Sequence, residues 1–400
     1  MKVARQKGEI CVARSRKLLA LFFAFALFAT ACGSDDDSET SSDSTEAPTT
    51  TEAPAETEAP AETEAPEEPM EFQDVSMLVV NNMAHLPAFV AADYGLWVDR
   101  GLNVDLQTLG SGADIAAGLQ SGQAEFGAVN GGTGVAPQRA GGLLTKLIAP
   151  YNSDATNAKY VDWISIIGRI DRGLTDDPKS IVGKKVGVTG GGTPNAYLTE
   201  WLKREGLTKE DVEIVAMGAP DMLTAIVNGD VDAVVPWDPF RTSALRQLGD
   251  NGIDMSPGED LVLSAIGLGA VDGQMADNPD VFKAFIEGLV EATYLIRQDP
   301  ESIAPVVLSF VDGVTEEDAI EAMKRNKYDP RISICIEWGA ETTAAQLVES
   351  GSVETDEPFT ADDLLDSSLL DVVIAENPDW VADLPAIPES VEDCTGYEEG

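Results

Sequence analysis

The order of strands, turns and helices expected from the sequence limits the folds that this chain can adopt. From residue 75 to residue 298, short apolar runs alternate with segments of helical periodicity, and many turns between them contain Gly, Ser, Thr or Asn. This alternation predicts mostly parallel, buried sheets. It runs in two series, at 75–149 and 181–235, with a further strand at 163–170 between them, and an apolar return strand is expected at 261–271. We therefore expect an α/β protein with two lobes, each a mostly parallel sheet flanked by helices, and a ligand cleft between them.

Composition excludes several classes of function. The chain has 400 residues, enough for a large core, and a formal charge of −44. So acidic a protein is a poor match for a nucleic-acid backbone. His85 is the single histidine. No second histidine is available for a metal cage, and a Ser-His-Asp or Cys-His enzyme would have to use this one. We expect no metal, no cofactor, no nucleic-acid partner and no catalysis.

The first 31 residues read as a secretory signal. Six Lys and Arg residues precede an apolar run at 18–31, which is short for a membrane span and ends in small residues. Ala29, Thr30 and Ala31 then precede Cys32, a pattern that resembles a lipobox. We expect Cys32 to be lipidated and to anchor the protein outside the cytoplasm on the cell membrane. The alternative is an ordinary signal with an incidental cysteine.

An acidic, proline-containing segment follows Cys32 and completes the expected tether at 32–69. Residues 33–69 carry thirteen Asp and Glu and no Lys or Arg, and Glu-Ala-Pro recurs every six residues from Glu46. A segment of this composition lacks the apolar surface needed for a core, so we expect a disordered spacer without a specific partner.

Two cysteines remain in the body of the chain. Cys335 and Cys394 form an even pair in a protein expected to be exported, where the compartment is oxidising. We expect a disulfide that holds the C-terminal tail. Two separate buried thiols are the alternative.

Several short motifs, in order, resemble one family. Each alone is weak, but their order and spacing over residues 75–298 resemble solute-binding proteins of ABC importers, in the sulfonate, nitrate, taurine and thiamine-precursor group with the type II periplasmic binding fold. The carrying motifs are YGLW at 94–97, GLNV at 101–104, LQSGQAEFG at 119–127, GKKVGV at 183–188, NGDVDA at 228–233 and WDPF at 237–240. The region after Lys324 departs from the family pattern, so its role stays open.

The resemblance implies a lobe I at 70–170, a lobe II at 171–260 and a return to lobe I with C-terminal helices at 261–400. It also implies a monomer that captures a small solute by lobe closure and delivers it to an ABC permease and ATPase. The alternatives are an extracellular sensor subunit and, on the same fold, an enzyme. The related pyrimidine enzymes use histidine and cysteine clusters, which this chain lacks.

Ligands of open parallel sheets bind beyond the carboxyl ends of the strands. Helix N-termini there offer free N–H groups and the positive end of a dipole, so several of them make an anion site without a cationic side chain. On this basis the candidate ligand-binding residues are Asn82, His85, Ser111, Gly112, Asn130, Thr133, Gly191, Gly192, Thr193, Asn195, Trp237 and Asp238.

Each candidate also has a structural interpretation. Thr193 suits a helix cap ahead of Pro194, and Asp238 suits a cap next to Pro239. Trp237 either walls off the ligand or packs between lobes. For His85 a structural hydrogen bond is the favoured interpretation, and Asn130 could cap its own helix.

The ligand itself stays open among sulfonates, taurine, nitrate, pyrimidine precursors and carboxylates. Only twenty Lys and Arg residues follow residue 69, which disfavours a multiply charged anion. We expect an organic monoanion or a zwitterion.

Overall fold

The computed structural model describes residues 72–257 and 260–398. The predicted signal, Cys32 and the acidic tether lie outside these residues. No helix in the described part is long and apolar enough to cross a membrane.

The described residues form ten strands and thirteen α-helices. The strands are β1 Gln73–Val80, β2 Leu102–Leu109, β3 Phe126–Asn130, β4 Thr145–Asn152, β5 Ile167–Arg169, β6 Lys185–Val188, β7 Glu213–Ala216, β8 Ala233–Val234, β9 Gly252–Asp254 and β10 Ile266–Val271. The helices are α1 Leu86–Asp93, α2 Gly112–Ser121, α3 Val135–Ala140, α4 Thr193–Arg204, α5 Ala219–Asn228, α6 Phe240–Leu248, α7 Gln274–Asp277, α8 Pro279–Gln298, α9 Pro300–Phe310, α10 Glu316–Arg325, α11 Ile334–Glu349, α12 Ala361–Leu364 and α13 Ser368–Glu376.

The strands form two five-stranded sheets, which confirms the predicted α/β class. The first sheet has the order β2-β1-β3-β10-β4, and the second has the order β7-β6-β8-β5-β9. In each sheet one strand runs against the other four: β10 in the first and β5 in the second. The sheets are therefore mixed, with all other strands parallel. Their parallel strands place their carboxyl ends on one edge of each sheet.

The crossings between the sheets differ slightly from the predicted boundaries. Strand β5 was expected in lobe I, which was placed at 70–170, but it pairs with β8 and β9 in the second sheet. The first crossing thus lies between Asn152 and Ile167. The return crossing lies between Asp254 and Ile266, and it contains the expected boundary at 260. The pattern at 163–170 predicts a strand, but periodicity does not show which sheet an antiparallel strand joins.

Two residues of the YGLW motif at 94–97, Leu96 and Trp97, belong to the core, whereas Tyr94 is exposed. Trp97 is buried, its indole N–H donates to the Phe285 carbonyl at 3.1 Å, and the two rings lie 4.5 Å apart. This contact fixes α8 against the turn that leads into β2.

The segment from Ser333 to the tail, here called the C-terminal strap (333–398), holds both crossings. Ser333 donates to the Ala155 carbonyl at 2.7 Å, and the tail residue Thr395 exchanges backbone hydrogen bonds with Thr156 and Ala158. On the return crossing, the Leu263 N–H donates to the Thr343 hydroxyl at 2.9 Å. The strap therefore links the first crossing to the return crossing.

A disulfide between Cys335 and Cys394 closes the strap onto itself, with a sequence separation of 59 residues. Both cysteines are buried against Ala158, in the first crossing. Residue 339 near the disulfide must be glycine, because a Cβ on Gly339 would lie 2.0 Å from the Ala158 carbonyl oxygen.

We predict that Cys335→Ser combined with Cys394→Ser lowers the free energy of unfolding by about 4 kcal/mol, because the open chain loses a loop constraint in the unfolded state. Urea unfolding of the full chain measures this change. Wild type under reducing conditions is the matched control and should behave like the double variant. Equal stability of the oxidised wild type and the double variant would contradict the prediction.

Candidate functional site

Five parallel strands end at one cavity of about 470 Å³. Residues that follow β1, β2 and β3 line it from the first sheet, and residues that follow β6 and β8 line it from the second. This is the position expected for ligands of open parallel sheets. Ten of the twelve candidate residues line it: Asn82, His85, Ser111, Gly112, Asn130, Thr133, Gly191, Gly192, Thr193 and Trp237.

Thr193 joins the two sheets across the cavity. Its hydroxyl accepts a hydrogen bond from the Asn130 amide at 2.9 Å and lies 2.8 Å from the Thr133 hydroxyl. Thr193 follows β6, whereas Asn130 and Thr133 end or follow β3. Both threonines are buried. These bonds therefore fix how closely the two sheets approach at this edge.

Asn130 organises the cluster, and its polar atoms are all engaged. Its side-chain oxygen accepts from the N–H groups of Gly132 and Thr133, at 3.0 and 3.3 Å. Its amide nitrogen donates to Thr193 and to the Ser264 hydroxyl, the latter at 3.0 Å. Asn130 is therefore not the cap of α3, which follows Gly134. It positions the hydroxyl groups around it.

Helix α2 directs its first turn at the cavity. Ser111 caps this helix by accepting from the Asp114 N–H at 3.3 Å, and Gly112 and Ala113 line the cavity. N–H groups in a first helical turn lack partners within the helix, so they are available to an acceptor in the cavity.

Helix α4 supplies a second N-terminus. Its cap residue is Gly192, at φ 73°, a backbone conformation that favours glycine. The expectation that Thr193 caps this helix was wrong. Thr193 is the first helical residue, so its hydroxyl is free to reach the first sheet. A Cβ added at Gly191 would have no other atom within 4 Å, so there is open space next to this residue.

His85 is neutral in this site. Its Nδ1 lies 2.8 Å from the hydroxyl of Tyr151, a residue on β4 that sequence analysis did not single out. Burial lowers the pKa of His85 to about 3 and raises the pKa of Tyr151 well above its usual range. The imidazole therefore provides no positive charge to a ligand.

Two tryptophans form part of the wall. Trp163, from the first crossing, and Trp237, after β8, both line the cavity and are 3% and 8% exposed. In each, the indole nitrogen is buried without a hydrogen-bond partner among the described residues. Trp163 lay inside a predicted strand and carried no signal of its own. The remaining unpredicted lining residues include Gln120, Gln138, Thr189, Ile115, Leu143 and Ile266.

Two candidate residues lie outside the cavity. Asp238 is fully buried, and its carboxylate binds Arg325 at 2.8 Å and accepts from the Thr242 hydroxyl at 2.6 Å. Asn195 accepts from Lys209 at 2.9 Å and lines a neighbouring cavity of about 370 Å³ between α4 and α11. Neither side chain is available to a ligand in the larger cavity.

None of the described residues that line the larger cavity is Lys, Arg, Asp or Glu. Within the described part of the chain, no group of three or more His, Cys, Asp or Glu side chains is arranged to hold a metal ion. The site therefore offers hydroxyls, amides, helix N-termini and apolar walls.

Comparison with known proteins gives a family match and several relatives. The family model described as "NMT1/THI5 like" matches residues 82–303. The taurine-binding periplasmic protein of Escherichia coli K12 is 27% identical over 64% of this chain and 79% of its own length. The 4-amino-5-hydroxymethyl-2-methylpyrimidine phosphate synthase of Aspergillus parasiticus is 23% identical over 54% of this chain and 64% of its own length.

Solved structures show the same fold. The alkanesulfonate-binding protein SsuA of Xanthomonas axonopodis, bound to MOPS, aligns with a TM-score of 0.62 at 16% identity and covers 74% of this chain and 98% of its own. The nitrate-binding protein NrtA of Synechocystis PCC 6803 aligns with a TM-score of 0.60 at 14% identity, over 80% of this chain and 92% of its own. The chain thus has the periplasmic-binding-protein fold that the motifs predicted.

The low pKa of His85 predicts a pH dependence of stability. Between pH 6.5 and about 3 the unfolded chain binds a proton at His85 that the folded chain excludes, so the free energy of unfolding falls as pH falls through this range. Above pH 6.5 His85 makes no such contribution.

At pH 4.5 we expect the His85 contribution to reach about 2 to 3 kcal/mol relative to pH 7.5. Urea unfolding at both pH values, on wild type and His85→Gln, measures it. The lost bond to Tyr151 affects the variant at both pH values and cancels in the difference. If wild type and variant lose the same stability between pH 7.5 and 4.5, the burial argument fails.

Proposed function

The chain belongs to the NMT1/THI5-like family, and we propose that it is the solute-binding component of an ABC importer. It captures a small organic anion or zwitterion between its two sheets and delivers it to a permease with its ATPase. The observation that carries this proposal is that residues following five strands, from both sheets, line the cavity of about 470 Å³. Relatives named as taurine-, alkanesulfonate- and nitrate-binding proteins support the same class of ligand.

Closure of the two sheets around the solute is the proposed mechanism. A ligand that contacts both sheets stabilises the closed form by its preference for that form over an open one. Thr193 already bonds to Asn130 and Thr133 across the cavity, so the closed form has its own polar contacts at the edge. Solute affinity then depends on these bonds as well as on direct contacts.

Export and anchoring complete the proposal. The basic and apolar N-terminus, the small residues before Cys32 and the acidic tether support a lipoprotein held on the outer face of the cell membrane. A receptor anchored in the same membrane as its permease stays near that permease.

The similarity to pyrimidine phosphate synthases favours a second candidate, an enzyme on the same fold. Against it, His85 is the single histidine of the chain and is held neutral by burial. Incubation of the full chain with a bound solute, followed by mass spectrometry of that solute, separates the two. A receptor returns the solute unchanged at one molecule per chain, whereas a product that accumulates beyond that ratio supports the enzyme.

We predict that Thr193→Val weakens solute binding about tenfold, because valine keeps the shape of threonine but loses both cross-sheet hydrogen bonds, each worth about 0.5–1.5 kcal/mol. Isothermal titration calorimetry on the full chain with the solute that binds measures this effect. Thr193→Ser keeps the hydroxyl and is the matched control, with affinity near wild type. Equal affinities for the two variants would contradict a role of the hydroxyl in closure.

A further inference from the structure

The cavity carries no charged side chain, and this restricts the ligand. Transfer of an ammonium group into it would leave that group without a carboxylate partner, and a dianion would meet no cation. His85 does not supply the missing positive charge, since burial lowers its pKa to about 3. A zwitterion such as taurine therefore finds no partner for its ammonium group among the residues that line this cavity.

The donors that do line the cavity suit one negative charge at most. Gly112 and Ala113 begin α2, and Gly192 and Thr193 lie at the start of α4, so two helix N-termini with their positive dipole ends reach the cavity. Trp163 and Trp237 line the cavity with ring surface, but their indole nitrogens are inaccessible, so these N–H groups are not among the donors that reach a ligand.

The apolar walls and the volume of the cavity favour a ligand that is larger than taurine or nitrate and has an apolar body. Apolar lining comes from both sheets and from the two indole rings: Val80, Ile115, Ala116, Ala128, Leu143, Trp163, Trp237 and Ile266. A volume of about 470 Å³ lies in the range of pockets that enclose ring-containing organic molecules. Burial of a ring against such walls is worth roughly 100-fold in affinity.

We infer that the ligand is an organic monoanion with an apolar, ring-sized body, whose anionic oxygens bind the α2 and α4 N-termini while its body packs between Trp163 and Trp237. This inference rests on the proposed function of solute binding and narrows it. Taurine-like zwitterions, nitrate and dianions are excluded as preferred ligands.

A matched set of ligands tests the charge and size arguments on the full chain by titration calorimetry. The compound 2-phenylethanesulfonate differs from taurine by a phenyl group in place of the ammonium group. The compound 3-phenylpropanoate carries a carboxylate head, 3-phenylpropanamide is its neutral counterpart, and phthalate is a dianion. Nitrate represents a small anion.

We expect the phenyl monoanions to bind at least 100-fold more tightly than taurine or nitrate, and at least tenfold more tightly than the amide or phthalate. The sulfonate and carboxylate arms show which head group is preferred. Taurine or nitrate binding as tightly as the phenyl compounds would overturn the inference and leave the proposed function standing. No binding by any compound to folded protein would count against both.

Variants of the lining test the placement. Trp237→Phe and Trp163→Phe reduce the aromatic surface of the cavity wall, and we expect each to weaken phenyl-monoanion binding about fivefold. Trp201→Phe is the matched control, because its indole nitrogen is likewise buried and unpartnered among the described residues but does not line the cavity. Equal losses in all three variants, or none, would overturn the placement.

An isosteric substitution that adds a negative charge tests the claim that the cavity accepts only one such charge. Gln120 lines the cavity, and Gln120→Glu adds a carboxylate there, so binding of the phenyl monoanions should weaken about fivefold while binding of taurine strengthens. Gln123→Glu makes the same change outside the cavity, just beyond the end of α2, and should alter neither. Identical behaviour of the two variants would overturn the inference.

Discussion

Parallel strands place their carboxyl ends on one edge of a sheet, and this constraint determines where the site lies. Strands β1, β2 and β3 end at the cavity from one sheet, and β6 and β8 end there from the other. The turns at these ends start helices, so polar N-termini collect at the same place without any charged side chain. The hydroxyl of Thr193 then bridges to Asn130 and joins the two edges. Fold and site are thus consequences of a single arrangement.

The same arrangement explains how a strongly acidic chain can hold an anion. The net charge of −44 includes the acidic segment at 33–69, whereas the cavity lining has no acidic residue at all. Exposed charges at a distance are screened by salt, so the donors within a few ångströms dominate. Asp238, which follows Trp237 in the chain, is compensated by its ion pair with Arg325. The C-terminal strap adds restraint at the crossings, through Thr343 on one and Thr395 on the other.

Sequence periodicity predicted most of this architecture because the strands and helices that form the two sheets carry strong apolar patterns. The apolar pattern predicts a strand at 102–109 and helices at 279–298 and 300–310, and these are the bounds of β2, α8 and α9. Helix α6 was missed because its buried face includes Arg241 and Ser243, and the charge of Arg241 is satisfied by Asp254 rather than by solvent. Helix α11 was missed because its buried face is built largely from small residues such as Gly339 and Ala340. The pattern at 360–377 predicts one helix, but the structure has two, α12 and α13, with a break near Leu365, which forms a bridge with Leu147 of β4.

Site residues were predictable from the sequence where they lie in a turn of recognisable composition. They were not predictable where contacts between distant parts of the chain determine whether a side chain reaches the cavity. Gly191, Gly192 and Ser111 were found because a helix start after a strand has a recognisable composition. Asp238 has the same composition next to a proline, yet Arg325, 87 residues further along the chain, engages its carboxylate. Trp163 and Tyr151 belong to the surroundings of the cavity only because of how the crossing and β4 fold. No local pattern records such contacts.

Hydrogen–deuterium exchange with and without a bound solute shows whether one ligand bridges the two sheets. We expect simultaneous protection of segments 111–117 and 130–134 on the first sheet and of segments 190–196 and 235–240 on the second. Protection confined to one sheet, or protection of residues 343–352 on and after α11 without protection of 111–117, would contradict a ligand that bridges the sheets in the larger cavity.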